Sequence, residues 1–115
     1  GVDLIEIDRL ANINPKIRER FIKRVYTESE KRICSDNNAC LAGRFAAKEA
    51  VSKFLGTGIG LISWRDIEIL RGEEGQPILV LHGNARGKNQ ELGIKHWAIS
   101  ISHSRNLAIA FVIAQ

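Results

Sequence analysis

Gly43-Arg44-Phe45-Ala46-Ala47-Lys48-Glu49-Ala50-Val51-Ser52-Lys53-Phe54-Leu55, closed by Gly56, is the stretch around which the chain is organised. Its Ala, Lys, Glu and Leu content and its terminal glycine predict a helix of about three turns. At about 100° per residue, Ala47, Ala50, Val51, Phe54 and Leu55 share one arc. Arg44, Phe45, Lys48, Glu49, Ser52 and Lys53 share the other. That second arc sets one carboxylate and an aromatic ring among three cations. The mixture suits a metal ion and a polyanion better than it suits water alone.

Outward from this helix, the flanking segments predict a small α+β domain with a mostly antiparallel sheet. Before it, Val2, Leu4 and Glu6 alternate with Asp3, Ile5 and Ile7, a strand pattern. Asp3 inside that strand reads most simply as an acid facing solvent. Ile17, Phe21 and Val25 then recur at helical spacing after Asn14-Pro15, with Arg18, Arg20, Lys23 and Arg24 on the flanks. Thr27-Glu28-Ser29-Glu30 has capping-box spacing and predicts a further helix ending near Cys34. After the opening helix, Gly56-Thr57-Gly58-Ile59-Gly60 is a glycine-rich turn. A phosphate-cradling loop precedes its helix, so this one fails as a P-loop.

Two strands, 66–70 and 78–81, flank a turn at Gly72-Glu73-Glu74-Gly75-Gln76-Pro77. A polar helix over 84–92 follows, then an alternating strand from Trp97 to Ser102. The chain ends in the apolar strand Leu107 to Ala114, expected to be buried on both faces. The order is strand, three helices, two strands, helix, two strands, in one domain spanning 1–115.

Composition narrows the class. The 115 residues carry a net charge of +4, with 44% hydrophobic and 26% charged residues, as ordinary globular proteins do. The longest apolar run is the last strand, far short of the roughly 20 residues that cross a bilayer. The N-terminus has acids inside its apolar pattern and does not read as a signal peptide; the absent methionine suggests that a few residues precede Gly1. Cys34 and Cys40 are expected to be reduced thiols of a cytosolic protein. Charge is concentrated: residues 9–32 hold eight Lys or Arg against three acids. Such a face steers acidic partners.

Among residues able to carry chemistry, Glu49 leads, with Lys53 one turn on; alone, the pair is an ordinary helix ion pair. A hard cation needs one or two carboxylates plus waters and phosphate oxygens, and Asp3 would be the second carboxylate if the first strand packs beside the helix. Ser100-Ile101-Ser102-His103-Ser104, at a strand end, is the other candidate, balanced against a turn histidine with capping serines. His82 and His96 stand alone, and no Cys/His spacing suggests zinc.

Taken together, Gly1-Val2-Asp3-Leu4-Ile5-Glu6, Arg44-Phe45-Ala46-Ala47-Lys48-Glu49-Ala50, Gly56-Thr57-Gly58-Ile59-Gly60 and Ser100-Ile101-Ser102-His103-Ser104 resemble one family. It is the holo-[acyl-carrier-protein] synthases, the short branch of the phosphopantetheinyl transferases. The resemblance implies an enzyme that moves phosphopantetheine from coenzyme A to a serine of an apo acyl carrier protein, in support of fatty acid biosynthesis. It further implies a cytoplasmic homotrimer with coenzyme bound between subunits, acting on neither nucleic acid nor membrane. Asp3 and Glu49 would hold Mg²⁺. Glu49, Lys53 and Asp3 would form the catalytic group, with either Glu49 or a metal-bound water as the base. Arg44, Lys48, Ser52 and Lys53 would line the coenzyme phosphates, Pro77 the adenine side, and His103 and Ser104 the far strand. Arg9, Arg20, Phe21 and Arg24 would bind the carrier protein, with Phe45 beside them. Two other readings stay open on residues alone: a basic nucleic-acid-binding module, poor in aromatic rings for stacking, and a metal-dependent phosphohydrolase.

Overall fold

The computed structural model describes residues 1–56 and 60–115; Thr57, Gly58 and Ile59 of the glycine-rich turn lie outside the described residues. Strand β1 (Val2–Glu6) leads through a short helix α1 (Asp8–Ala11) to α2 (Pro15–Val25) and α3 (Glu28–Cys34). Helix α4 (Asn38–Leu55) follows, then a 3-10 turn (Trp64–Asp66), β2 (Ile67–Arg71), β3 (Pro77–Leu81), α5 (Gly83–Leu92), β4 (Trp97–His103) and β5 (Leu107–Ala114). All strand pairings are antiparallel, in a three-stranded sheet ordered β1-β5-β4 and a hairpin of β2 and β3.

Local chemistry explains the helix boundaries. Asn14 caps α2 through Lys16 N, with Pro15 preset for the first turn. The Thr27–Glu30 capping box forms as its spacing predicts. Gly56 ends α4 at φ 79°, a left-handed conformation that favours glycine. The helix nevertheless begins five residues before Gly43, because Asn37 caps it at Cys40 N. Two short elements, α1 and the 3-10 turn, carry no periodic signature in the sequence.

Helix α4 is the central element. One side lies on the inner face of the three-stranded sheet, where Ala46, Ala47, Ala50 and Val51 share a core with Ala110 and Val112. Small side chains here let helix and sheet approach closely. A Cβ built on Gly43 would sit 2.7 Å from Ile101 Cγ2, so any larger residue would force that side chain or the helix to shift. The opposite side packs against α3 and β2. Only Lys53 and Phe54 of the helix are exposed. This corrects the two-arc division: Arg44, Lys48 and Ser52 are buried, whereas Phe54 stands 41% exposed. The periodicity assumed one packed face, and the fold supplies two.

Three further expectations change. Strand β5 is covered on one face alone: Ala108, Ala110 and Val112 are buried, while Leu107, Phe111 and Ile113 are exposed. Cys34 and Cys40 are joined in a disulfide between the end of α3 and the first turn of α4, rather than being free thiols. The intervening Ser35 and Asp36 adopt left-handed backbone that brings the two helices together. Ile17, read as part of the buried stripe of α2, is 57% exposed.

Candidate functional site

Alternation in β1 turns Asp3 and Ile5 toward α4, where the side chains of Phe45, Glu49 and Lys53 recur at one-turn spacing. Asp3 therefore does not face water, contrary to the simple reading of its strand. Its side chain is 11% exposed, and Oδ1 accepts a 2.7 Å charged hydrogen bond from Lys53 Nζ. The other oxygen, Oδ2, is buried with no hydrogen-bond partner. Glu49 lies against it. Burial, then the neighbouring Asp3 carboxylate, push the Glu49 carboxyl up to about 7 against the opposing pull of Lys53 and Arg9. Two carboxyls this close share a proton or a cation, since both ionised would leave Oδ2 stranded. The pair fits a hard divalent ion whose remaining ligands are water and phosphate oxygens. Among the described residues no cluster of three or more acidic, His or Cys side chains forms a closed metal cage.

Arg9 links this pair to an apolar groove of about 290 Å³ lined by Ile5, Leu10, Ile13, Ile17, Phe21 and Phe45. Phe21 and Phe45 meet edge to face at 5.2 Å, and Phe45 continues onto Trp64 at 4.9 Å. Of the five residues expected to bind a carrier protein, Arg9, Phe21 and Phe45 line this groove. Arg20 and Arg24 are exposed on α2 and do not line it.

A second depression, about 440 Å³, is lined by Cys34, Cys40, Arg44, Arg71, Pro77 and His103 with their neighbours. Arg44 Nε donates to Ile69 O at 3.0 Å, which holds the guanidinium at the cleft wall. Burial, then the charge of Arg71, lowers the pKa of Arg44. Two cations facing one cleft form a ready anion site. Arg71 was missed in the sequence because it ends a strand and has no motif around it. Gly75, at φ 85°, turns the hairpin so that Pro77 reaches the wall.

These two half-sites do not meet within one chain. Arg44 and Lys53 are nine residues apart on one helix, about half a revolution around and about 13 Å along. The cleft lining includes none of Asp3, Glu49 or Lys53. Nor does it include Ser104, whose hydroxyl instead accepts from Asn106 N and Leu107 N to close the β4–β5 turn.

Two expected phosphate ligands face inward. Lys48 is fully buried, ion-paired to Glu30 Oε1 at 2.8 Å, and donates to Trp64 O at 3.0 Å and Ile67 O at 2.6 Å. Glu30 also accepts from Thr27 N and Ile69 N, so the pair ties α3, α4 and β2 together. Ser52 is 4% exposed, and its hydroxyl donates back to Glu49 O. Both side chains are thus engaged within the fold. Glu30 gave no warning in the sequence beyond its capping role.

The chain is similar to proteins of known activity along its whole length. A profile described as the 4′-phosphopantetheinyl transferase superfamily matches residues 1–112. The holo-[acyl-carrier-protein] synthase of Herpetosiphon aurantiacus is 48% identical over 120 residues, covering 98% of this chain and 94% of that protein. The one from Halothermothrix orenii is 47% identical, covering 100% and 94%. The crystal structure of Helicobacter pylori holo-[acyl-carrier-protein] synthase in complex with coenzyme A superposes with a TM-score of 0.89 at 34% identity, covering 100% of this chain and 98% of that one. A Bacillus anthracis holo-(acyl-carrier-protein) synthase in complex with CoA (3′,5′-ADP) gives 0.77 at 36% identity, covering 99% and 92%.

Proposed function

The chain belongs to the 4′-phosphopantetheinyl transferase superfamily, and from that membership we propose that it is a holo-[acyl-carrier-protein] synthase acting as one domain. It transfers the 4′-phosphopantetheine group of coenzyme A to a serine of apo acyl carrier protein and releases adenosine 3′,5′-bisphosphate, in support of fatty acid biosynthesis. Its substrates argue for a cytoplasmic enzyme. The observation that carries the reading is the Asp3–Glu49–Lys53 group, with its stranded carboxylate oxygen, linked through Arg9 to an apolar groove.

Asp3 and Glu49 would hold a hard divalent cation such as Mg²⁺ in place of the proton they otherwise share. When bound, it would neutralise the pyrophosphate and polarise its phosphoryl oxygens. The chain's own residues do the rest. Lys53, 64% exposed, extends toward solvent beside Asp3 and offsets charge developing on the pyrophosphate as the serine oxygen attacks the β-phosphorus. The bond to the bridging oxygen breaks, and the nucleotide leaves. Glu49, beside Asp3 and Lys53, is this chain's own candidate to take the serine proton. Arg44, Pro77 and His103, which line the cleft, would take the nucleotide end, while Lys48, Ser52 and Ser104 stabilise the scaffold.

A homotrimer accounts for two otherwise separate observations. The outer face of the sheet is apolar, with Val2, Leu4, Phe111 and Ile113 each more than half exposed. The carboxylate pair and the cleft also lie on opposite sides of α4, and in a trimer a neighbouring subunit's cleft would complete each pair. The carrier protein would dock on the basic helix α2, with Phe21 and Phe45 receiving its apolar side chains. Incubating the chain with Mg²⁺, coenzyme A and apo carrier, then weighing the carrier, tests the proposal. A mass gain of one phosphopantetheine is expected, and an unchanged mass refutes it.

A further inference from the structure

The disulfide between Cys34 and Cys40 is unrelated to any motif that suggests the activity, yet both residues line the cleft that holds Arg44 and Arg71. Cys40 Sγ lies 3.2 Å from Arg44 Nη1 and 3.9 Å from Arg71 Nη2. The sulfur thus sits against the two guanidiniums that give the cleft its positive charge. Cys34 is buried at 4% exposure, while Cys40 is half-buried and faces the cleft. In a reducing compartment disulfides are seldom permanent; those that occur serve redox sensing or catalysis.

We propose that Cys34 and Cys40 form a reversible thiol–disulfide site whose state sets the anion affinity of the Arg44–Arg71 cleft, the substrate of that site being a dithiol reductant. The chemistry is a two-electron exchange. A dithiol attacks the bridge as a thiolate, passes through a mixed disulfide, and leaves as its own cyclic disulfide, while Cys34 and Cys40 gain two electrons and two protons. Oxidised, Cys40 sulfur is neutral and leaves the charge of both guanidiniums to an incoming phosphate. Reduced, Cys40 faces Arg44 from its own helix and Arg71 from β2, and shares the cleft with His103 from β4. Cations at this range favour the thiolate, so its proton passes to water. One negative charge then sits between the two arginines and competes with phosphate for them. The dissociation constant of an anionic nucleotide rises on the order of tenfold on reduction.

The inference rests on the proposed coenzyme cleft, and the experiment separates the two. Adenosine 3′,5′-bisphosphate is titrated calorimetrically into the full chain before and after treatment with a dithiol. Alkylation followed by intact mass reports the thiols: none modified before treatment and two after. Both cysteines alkylating before treatment would overturn the site. Tenfold weaker binding after treatment is expected, and equal binding in the two states overturns the inference alone. Absence of binding in both states refutes the cleft reading and the inference with it. Two variants separate charge from cross-linking. Cys40→Ser lacks the thiolate and should bind as the oxidised chain does, with no response to the dithiol. Cys34→Ser leaves Cys40 permanently free and should bind as the reduced chain does. Equal affinities for these two variants would overturn the proposal.

Discussion

Replacing Lys48 tests whether this side chain is a buried clamp or a phosphate ligand. Its ammonium and the Glu30 carboxylate are both fully buried and 2.8 Å apart. Burial lowers the pKa of Lys48 and the charge of Glu30 opposes that fall, as expected for a paired cation far from water. Lys48→Ala would leave Glu30 with only the Thr27 and Ile69 amides as donors, and remove the lysine donor from the Ile67 carbonyl and from the Trp64 carbonyl, which keeps the Ile67 amide. Removing one partner of a buried ion pair costs about 3–5 kcal/mol. Against a total stability of about 5–15 kcal/mol, that loss is large. It corresponds to a fall in Tm of about 15–25 °C for a domain of this size. The assay is urea unfolding followed by Trp fluorescence, with nucleotide binding measured under native conditions. Lys48→Met combined with Glu30→Gln should recover on the order of 1–2 kcal/mol of the loss, because the uncompensated charge is gone. A Lys48→Ala chain that loses under about 1 kcal/mol yet no longer binds nucleotide would refute the clamp and restore Lys48 to the ligand.

Glu49→Gln should reduce transfer at least about 100-fold while leaving the unfolding midpoint unchanged or raised, because a neutral amide relieves the crowding with Asp3; full activity in a coupled assay would remove Glu49 from the site. Phe111→Glu places a charge on the apolar outer face of the sheet, and should convert the proposed trimer to monomers by light scattering and abolish turnover. An active monomeric wild-type chain would contradict the shared site. Raising salt from low to physiological strength should increase KM for the carrier more than for coenzyme A, and Arg24→Ala should flatten that dependence. Burial works against ionisation of Glu68, but hydrogen bonds from Thr27 and His82 outweigh it and hold the carboxyl below its ordinary value. Its stabilising contribution is therefore present above the unfolded carboxylate pKa and lost as pH falls through the folded one. Glu68→Gln should lower stability at pH 7 and weaken its fall below about pH 4.5; an unchanged acid profile would contradict this.

Most of the fold was legible because its signals are local. Caps at Asn14 and Thr27, the stop at Gly56, and period-two alternation in β1 and β4 depend on residues within a turn of each other. Glu49, Lys53 and Phe45 were likewise placed on one side of α4 by helical spacing, and Asp3 was singled out as a carboxylate in an apolar strand. Periodicity measures one face at a time, however, and α4 is packed on two.

Tertiary packing decided the remainder. It turned Lys48 inward to Glu30, whose partner lies eighteen residues away, and it buried Arg44 where spacing implied exposure. It joined Cys34 to Cys40 through two left-handed residues that no pattern announced. It brought Asp3 within 2.7 Å of Lys53 across fifty residues of chain, and left Asp3 Oδ2 without a donor. Local pattern supplied the residue types and the elements that carry them. Long-range packing alone decided which charges are desolvated, because that depends on what covers them, and desolvation separates a scaffold ion pair from a catalytic one.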